Sequence, residues 1–267
     1  MPTSYNMRVK PITKAKQSPE SSQIRDSFET PRYAVDLLIP FIPKDIIRIW
    51  ECAAGNGRIS NVLLRNHFYV SESDIRLIGH VSKTHNFLSD GLGEHQLSWI
   101  EQKKSFAIVT NPPFSIKDLF IEKAFEYGVP FAFLINADYS GQQIDWIKRG
   151  CEKIIPTRRI NYLTPNILRR IHEGEVWKVA KENLPNISSF KDFVEFNRNL
   201  TDAESICNWS AYKEIHNYTT VESVPQKLLH KYSSSQFHSM WLTWGFNLGR
   251  TETFVDLPIS EVKGSIL

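Results

Sequence analysis

A chain of 267 residues with 41% hydrophobic and 23% charged residues folds as a globular protein and is not disordered. The net charge of +3 permits a nucleic-acid partner without arguing for one, since any basic patch must be local. Cys52, Cys151 and Cys207 are far apart and odd in number, which argues against a zinc site or a disulfide framework and for reduced thiols inside a cell, with no metal expected.

The first 22 residues read as a flexible arm. Arg8, Lys10, Lys14 and Lys16 precede the first acid, Glu20. A solvated tail and an arm that touches phosphates both fit this pattern. No apolar signal core opens the chain, and the longest apolar run, Ala34 to Pro43, is too short and too Pro-broken to span a membrane. A cytoplasmic location is expected.

From Phe28 strands and helices alternate. Thr30 reads as an N-cap and Pro31 as the first position of a helix running to Ile39. Asp45 to Glu51 reads as a strand, Ile59 to Asn66 as a helix and His67-Phe-Tyr-Val as the start of a second strand that ends near Ser73-Asp74. Lys104 to Thr110 is a buried strand closed by Asn-Pro-Pro, Asp118 to Tyr127 a helix stopped by Gly128, and Phe131 to Asn136 another buried strand. This rhythm predicts an α/β fold, a Rossmann-like, mostly parallel doubly wound sheet. After Ile154 the rhythm breaks. Strand pattern returns at Ser239 to Leu248, and Thr253 to Leu257 reads as its extension. Trp241 and Trp244, three apart, place at most one ring cleanly in the main core and receive no role.

The chemistry-bearing residues lie at the carboxyl ends of these strands. Glu51-Cys-Ala53-Ala-Gly55-Asn-Gly57 falls between a strand and a helix. Small residues allow a sharp turn and close approach of a ligand, and the helix start favours a negative group. An ordinary strand-to-helix turn fits the same residues. Asp74 lies 19 residues beyond Gly55, about the 20-residue interval at which a nucleotide-binding unit places a ribose-binding acid. Glu72 competes for that role. Asp90 follows the apolar pair Phe87 and Leu88, which could sandwich an adenine ring; a turn aspartate fits equally.

Asn111-Pro112-Pro113-Phe114 is the strongest signal. Proline holds the residue before it extended, so Asn111 is fixed at the sheet edge where such folds bind ligands. Its side-chain oxygen and the Pro112 carbonyl can accept from one amino group, and Phe114 can stack on the ring that carries it. Further on, Arg158, Arg159, Tyr162, Arg169 and Arg170 precede Trp177, Trp209 and Tyr212. These suit phosphates and unstacked bases, and they equally suit a small subdomain with its own core.

Asn-Pro-Pro-Phe at 111–114 resembles the catalytic motif of amino methyltransferases acting on adenine N6. The Glu51 to Gly57 loop resembles their cofactor loop, with Cys52 where proline is frequent. Thr30-Pro31 resembles their methionine-contacting segment. The order of these motifs is similar to the class whose recognition region lies towards the C-terminus, and Phe237 to Leu257 resembles the closing strands of phage-type members. The resemblance implies S-adenosylmethionine as cofactor and adenine of DNA, flipped out of its helix, as substrate. With the strand rhythm and the basic start of the chain, this divides it into a flexible basic arm at 1–22, a catalytic domain at 23–163, a target-recognition insertion at 164–235, and closing strands with a tail at 236–267. RNA or tRNA adenine is the alternative substrate. Cytosine N4 fits less well, since its motif begins Ser-Pro-Pro. A glutamine amide on a protein and a non-catalytic cofactor-binding subunit are further readings.

Overall fold

A computed structural model describes residues 28–77, 84–102, 104–138, 140–163, 223–233 and 237–258, together with residue 260 and scattered positions between 167 and 195. Seven strands form one sheet: β1 Arg48–Glu51, β2 Tyr69–Glu72, β3 Phe106–Thr110, β4 Phe131–Asn136, β5 Glu152–Pro156, β6 Ser239–Trp244 and β7 Glu252–Val255. Their order is β2-β1-β3-β4-β6-β5-β7. All neighbouring pairs are parallel except those made by β6, which runs against both β4 and β5. The mostly parallel, doubly wound sheet of a Rossmann-like fold is therefore present.

Period-two alternation in the strands builds two cores. Ile49, Ala107, Val109, Ala132, Leu134 and Trp241 face one side and pack on α1 Arg32–Asp36 and α2 Arg58–Arg65. Trp50, Ile108, Phe131, Phe133, Met240 and Leu242 face the other. There they meet α4 Lys117–Tyr127 and α5 Gly141–Lys148, while Trp99 of α3 Glu94–Glu101 packs at the margin. Coverage on both faces is what a parallel sheet requires. A third, smaller cluster joins Leu163, Ile167 and Ile171 to Val224 and to Leu229 of α6 Gln226–Tyr232. It brings the two ends of the long β5–β6 connection together.

Several expectations are corrected. The first helix ends at Asp36 and is followed by a separate 3-10 turn at Ile39–Phe41, because Pro40 has no amide to donate. Its N-cap is Pro31 and not Thr30, whose side chain is engaged elsewhere. Strand β1 begins at Arg48 rather than Asp45, and β2 starts at Tyr69 and ends at Glu72, beside the expected end near Ser73-Asp74. β7 is not an extension of β6. Gly245, at φ +73°, turns the chain, and β7 joins the far edge of the sheet beside β5. The strand at Glu152–Pro156 and the helices α3 and α5 carry weaker sequence patterns and add to the expected elements. Trp241 and Trp244 face opposite sides, the first donating to Ala34 O and the second to Arg149 O.

Candidate active site at the carboxyl edge of the sheet

The Gly55–Gly57 loop leaves β1 and enters α2. Gly55 and Gly57 have φ of +52° and +70°, the left-handed region that side chains disfavour. A Cβ built on Gly55 would meet nothing within 4 Å, so the loop has open space beside it. Two acids, Glu51 and Asp74, brace the loop. Glu51 is 1% exposed, and its Oε2 accepts from the Ser60 amide in the first turn of α2 at 2.8 Å and from the Ser60 hydroxyl. Burial pushes its carboxyl well above the usual range; the Ser60 hydroxyl opposes this, and Glu72 beside it adds to it. Glu72 stands in register with Glu51 across the β1–β2 pair.

Asp74 accepts the Gly55 amide on Oδ2 at 2.9 Å, and the Arg76 amide and Nε on Oδ1. It shapes the loop from below and is only 4% exposed. Cys52 is buried, and burial pushes its thiol well above the ordinary value, which removes it as a nucleophile. Asp90 accepts from the Asn86 amide and the Ser89 hydroxyl in an exposed turn, contacts that account for its side chain without a ligand. Phe87 is a core residue. It stacks on Phe120 at 4.9 Å and packs on Trp50, while Leu88 is half-buried at the margin of the same cluster. Ala53 packs there as well. Phe87 thus sits in the core and Leu88 at its margin.

Asn111 follows β3. Its Nδ2 donates to Thr30 Oγ1 at 3.1 Å and to the Phe28 carbonyl at 3.3 Å. A backbone carbonyl only accepts, so the amide nitrogen must face Phe28, and the orientation of the amide is fixed by chemistry. Its Oδ1 is buried and has no hydrogen-bond partner. An unmet buried acceptor costs about 1–3 kcal/mol. Pro112 is buried and Pro113 half-buried behind it.

Phe114 begins a short 3-10 turn, Phe114–Ile116. Its ring lies 5.4 Å from Phe28, 6.0 Å from Tyr162 and 5.1 Å from Phe237. Tyr162 is 2% exposed and belongs to this aromatic group, not to an open binding surface. Arg158 and Arg159 are exposed just beyond β5, whose direction matches β4, so they stand at the same edge as Asn111. Arg170 is exposed on a helical turn. Arg169, Trp177, Trp209, Tyr212 and the 1–22 arm lie outside the described residues.

The structure thus brings the glycine loop, Thr30 and Asn111-Pro-Pro-Phe114 to one edge. It adds Phe28, Glu29 and Phe237, which sequence reasoning passes over. The first two directly precede Thr30-Pro31, a proximity that could draw attention to them; Phe237 carries no local signal. A concavity of about 270 Å³ lies at the opposite, amino edge, between residues such as Ile46, Phe106, Pro130 and Asn247. It is remote from the motifs. Among the described residues no cluster of three or more His, Cys, Asp or Glu could hold a metal, and no helix is long and apolar enough to cross a membrane.

No family model matches this chain, and neither does any curated protein. Among solved structures it is similar to a protein from Anabaena variabilis assigned as a methyltransferase of an antibiotic biosynthesis pathway. The TM-score is 0.40 at 8% identity, over 80% of this chain and 97% of that one. It also overlays a protein from Anaeromyxobacter dehalogenans assigned as a type II methyltransferase, with TM-score 0.28 and 12% identity over 81% and 94% of the two chains.

Proposed function

We propose that this chain is an S-adenosylmethionine-dependent methyltransferase. The specific reading is methylation of the N6 amino group of adenine in DNA, on a base turned out of its helix. The single observation that carries it is Asn111 Oδ1: a buried acceptor without a partner, on an amide whose nitrogen is tied down. Such an atom suits an amino group brought from outside.

The residues present fit the cofactor. The Gly55 loop offers open space at the end of β1, and its shape is braced by Glu51 and Asp74. Thr30, which holds the Asn111 amide, directly follows Glu29, whose carboxylate reaches the loop. When bound, the cofactor supplies a methyl group on a sulfonium, an electrophile that needs no metal.

The protein's part is positioning and electrostatics. The amino nitrogen of adenine is a weak nucleophile because its lone pair is delocalised into the ring. Asn111 Oδ1 and the Pro112 carbonyl accept its two hydrogens and favour a tetrahedral nitrogen. As the nitrogen gains positive charge, these preoriented dipoles stabilise it. Proximity to the glycine loop replaces a bimolecular encounter. Phe114 offers a ring to the extruded base.

Transfer of labelled methyl from S-adenosylmethionine to duplex DNA, single-stranded DNA and total RNA, followed by nucleoside analysis, tests this. Label in N6-methyladenine from DNA supports the specific reading. Label only in RNA moves the substrate. Cofactor binding with no label in any nucleic acid favours a non-catalytic subunit.

A further inference from the structure

Glu29 precedes Thr30 and points to a different partner. Its backbone is pinned by an antiparallel bridge to Leu163, with Glu29 N donating to Leu163 O at 2.8 Å and Leu163 N returning a bond at 3.2 Å. Its carboxylate reaches the glycine loop. It accepts from Asn56 Nδ2 and, at 2.9 Å, from Arg58 Nε. Asn56 lies between the two left-handed glycines, and Arg58 opens α2. Thr30, one residue on, holds the Asn111 amide. Pro31 keeps Thr30 extended, and neighbouring side chains of an extended segment point to opposite sides. One dipeptide therefore grips the loop with its first side chain and the acceptor amide with its second.

We propose that Glu29 is a positioning residue that couples the state of the Gly55–Gly57 loop to the orientation of the Asn111 amide. The proposal rests on the reading of that loop as the cofactor site. Glu29 touches no reacting atom. Both loop contacts end on the Glu29 carboxylate and are charge-assisted, and the Arg58 contact is an ion pair as well. A ligand that settles the loop shifts Asn56 and Arg58, and with them Glu29, Thr30 and Asn111 Nδ2. Coupling of this kind is reciprocal: an amino group on Asn111 Oδ1 also raises affinity at the loop.

The test needs no nucleic acid. The Asn111 side-chain amide is followed by nitrogen-proton correlation NMR, its signal identified by its disappearance in Asn111→Ala. S-adenosylhomocysteine is added to saturation, and its binding is measured separately by calorimetry. In the wild type the Asn111 pair should move. In Glu29→Ala it should stay in place although the ligand still binds, with Kd changed by less than about fivefold, the low end of usual coupling effects. Thr30→Val should uncouple it as well. If Glu29→Ala melts too low for study, Arg58→Gln with Asn56→Ala cuts the same link from the loop side and leaves the Glu29–Leu163 bridge intact. An equal shift in wild type and uncoupled variants overturns the relay, as does no shift in a wild type that binds. No binding to the wild type is a different result: it removes the cofactor reading itself.

Discussion

Thr30 Oγ1 lies 3.1 Å from Asn111 Nδ2 across 81 residues of sequence. With the Phe28 carbonyl it turns the amide so that Oδ1 faces the buried, unpaired position. Thr30→Val keeps the volume and removes the acceptor. The amide then has one anchor in place of two. Removing a hydrogen bond of about 1 kcal/mol corresponds to a fall in kcat of roughly five- to tenfold. Thr30→Ser should restore most of it. Steady-state kinetics on the nucleic acid that accepts label would check this, and a Thr30→Val enzyme with wild-type kcat would refute it.

Cofactor binding and chemistry should separate by position. Asn111→Ala removes one of two preoriented acceptors and should lower kcat by about 10²–10³. Its calorimetric affinity for S-adenosylmethionine should stay near wild type. Gly57→Val does the reverse. A β-branched residue at φ +70° is strained, and the loop it would distort is the proposed cofactor seat. Binding should be abolished. Retained binding by Gly57→Val in a folded protein would remove the loop from the cofactor site.

Legibility follows how local the signal is. The buried runs Phe106–Thr110 and Phe131–Asn136 are plain because both faces of those strands are covered, which demands near-continuous apolar sequence. The motif at Asn111 is plain because proline fixes backbone geometry. The 19-residue interval marks Asp74 as a ribose-binding acid, whereas the hydrogen bond it makes to the Gly55 amide, which serves the loop itself, is not legible in the spacing. Phe87 is ambiguous in sequence, since an apolar pair before a carboxylate looks alike in a core and in a ligand sandwich; the structure shows its core packing. The Glu29 contacts with Asn56 and Arg58 join distant segments, and no periodicity encodes them.

Phe87 separates packing from binding. Its ring is 2% exposed and rests on Phe120 and Trp50. Phe87→Ala should destabilise the fold by about 3–5 kcal/mol. Affinity of the folded fraction for S-adenosylmethionine should stay near wild type. Denaturant unfolding and calorimetry on the same samples decide. A large drop in affinity at unchanged stability would return Phe87 to the cofactor site.

Glu51 gives a pH signature. Unfolded, it ionises near 4.5; folded, burial holds its proton to a higher pH. The native state therefore binds more protons between those two values. The stability that comes from this group is complete below the unfolded value and drains away as pH rises towards the folded one. Glu51→Gln cannot ionise and can still accept from the Ser60 amide. As pH rises above the unfolded value near 4.5, the wild type should lose melting temperature relative to Glu51→Gln. Parallel melting curves above that value would mean that Glu51 is charged throughout.

Arg158 and Arg159 test where a nucleic acid would lie. Both are exposed, directly beyond β5, at the edge that carries Asn111. Three to four residues on, Tyr162 packs 6.0 Å from Phe114, so the segment that carries the arginines is anchored to the motif itself. A backbone crossing this edge would meet them while its base reached Asn111. The net charge of +3 is too small for a general field to supply the affinity. Arg158→Ala with Arg159→Ala should therefore weaken nucleic-acid binding and flatten its dependence on salt, by about one unit of slope for each phosphate no longer neutralised. S-adenosylmethionine affinity should not change, because both side chains lie beyond β5 while the loop follows β1, at another place along the sheet. Binding isotherms at several salt concentrations measure both effects. Unchanged affinity and slope would make these arginines a solvated face and turn attention to Arg170 and to Arg8, Lys10, Lys14 and Lys16.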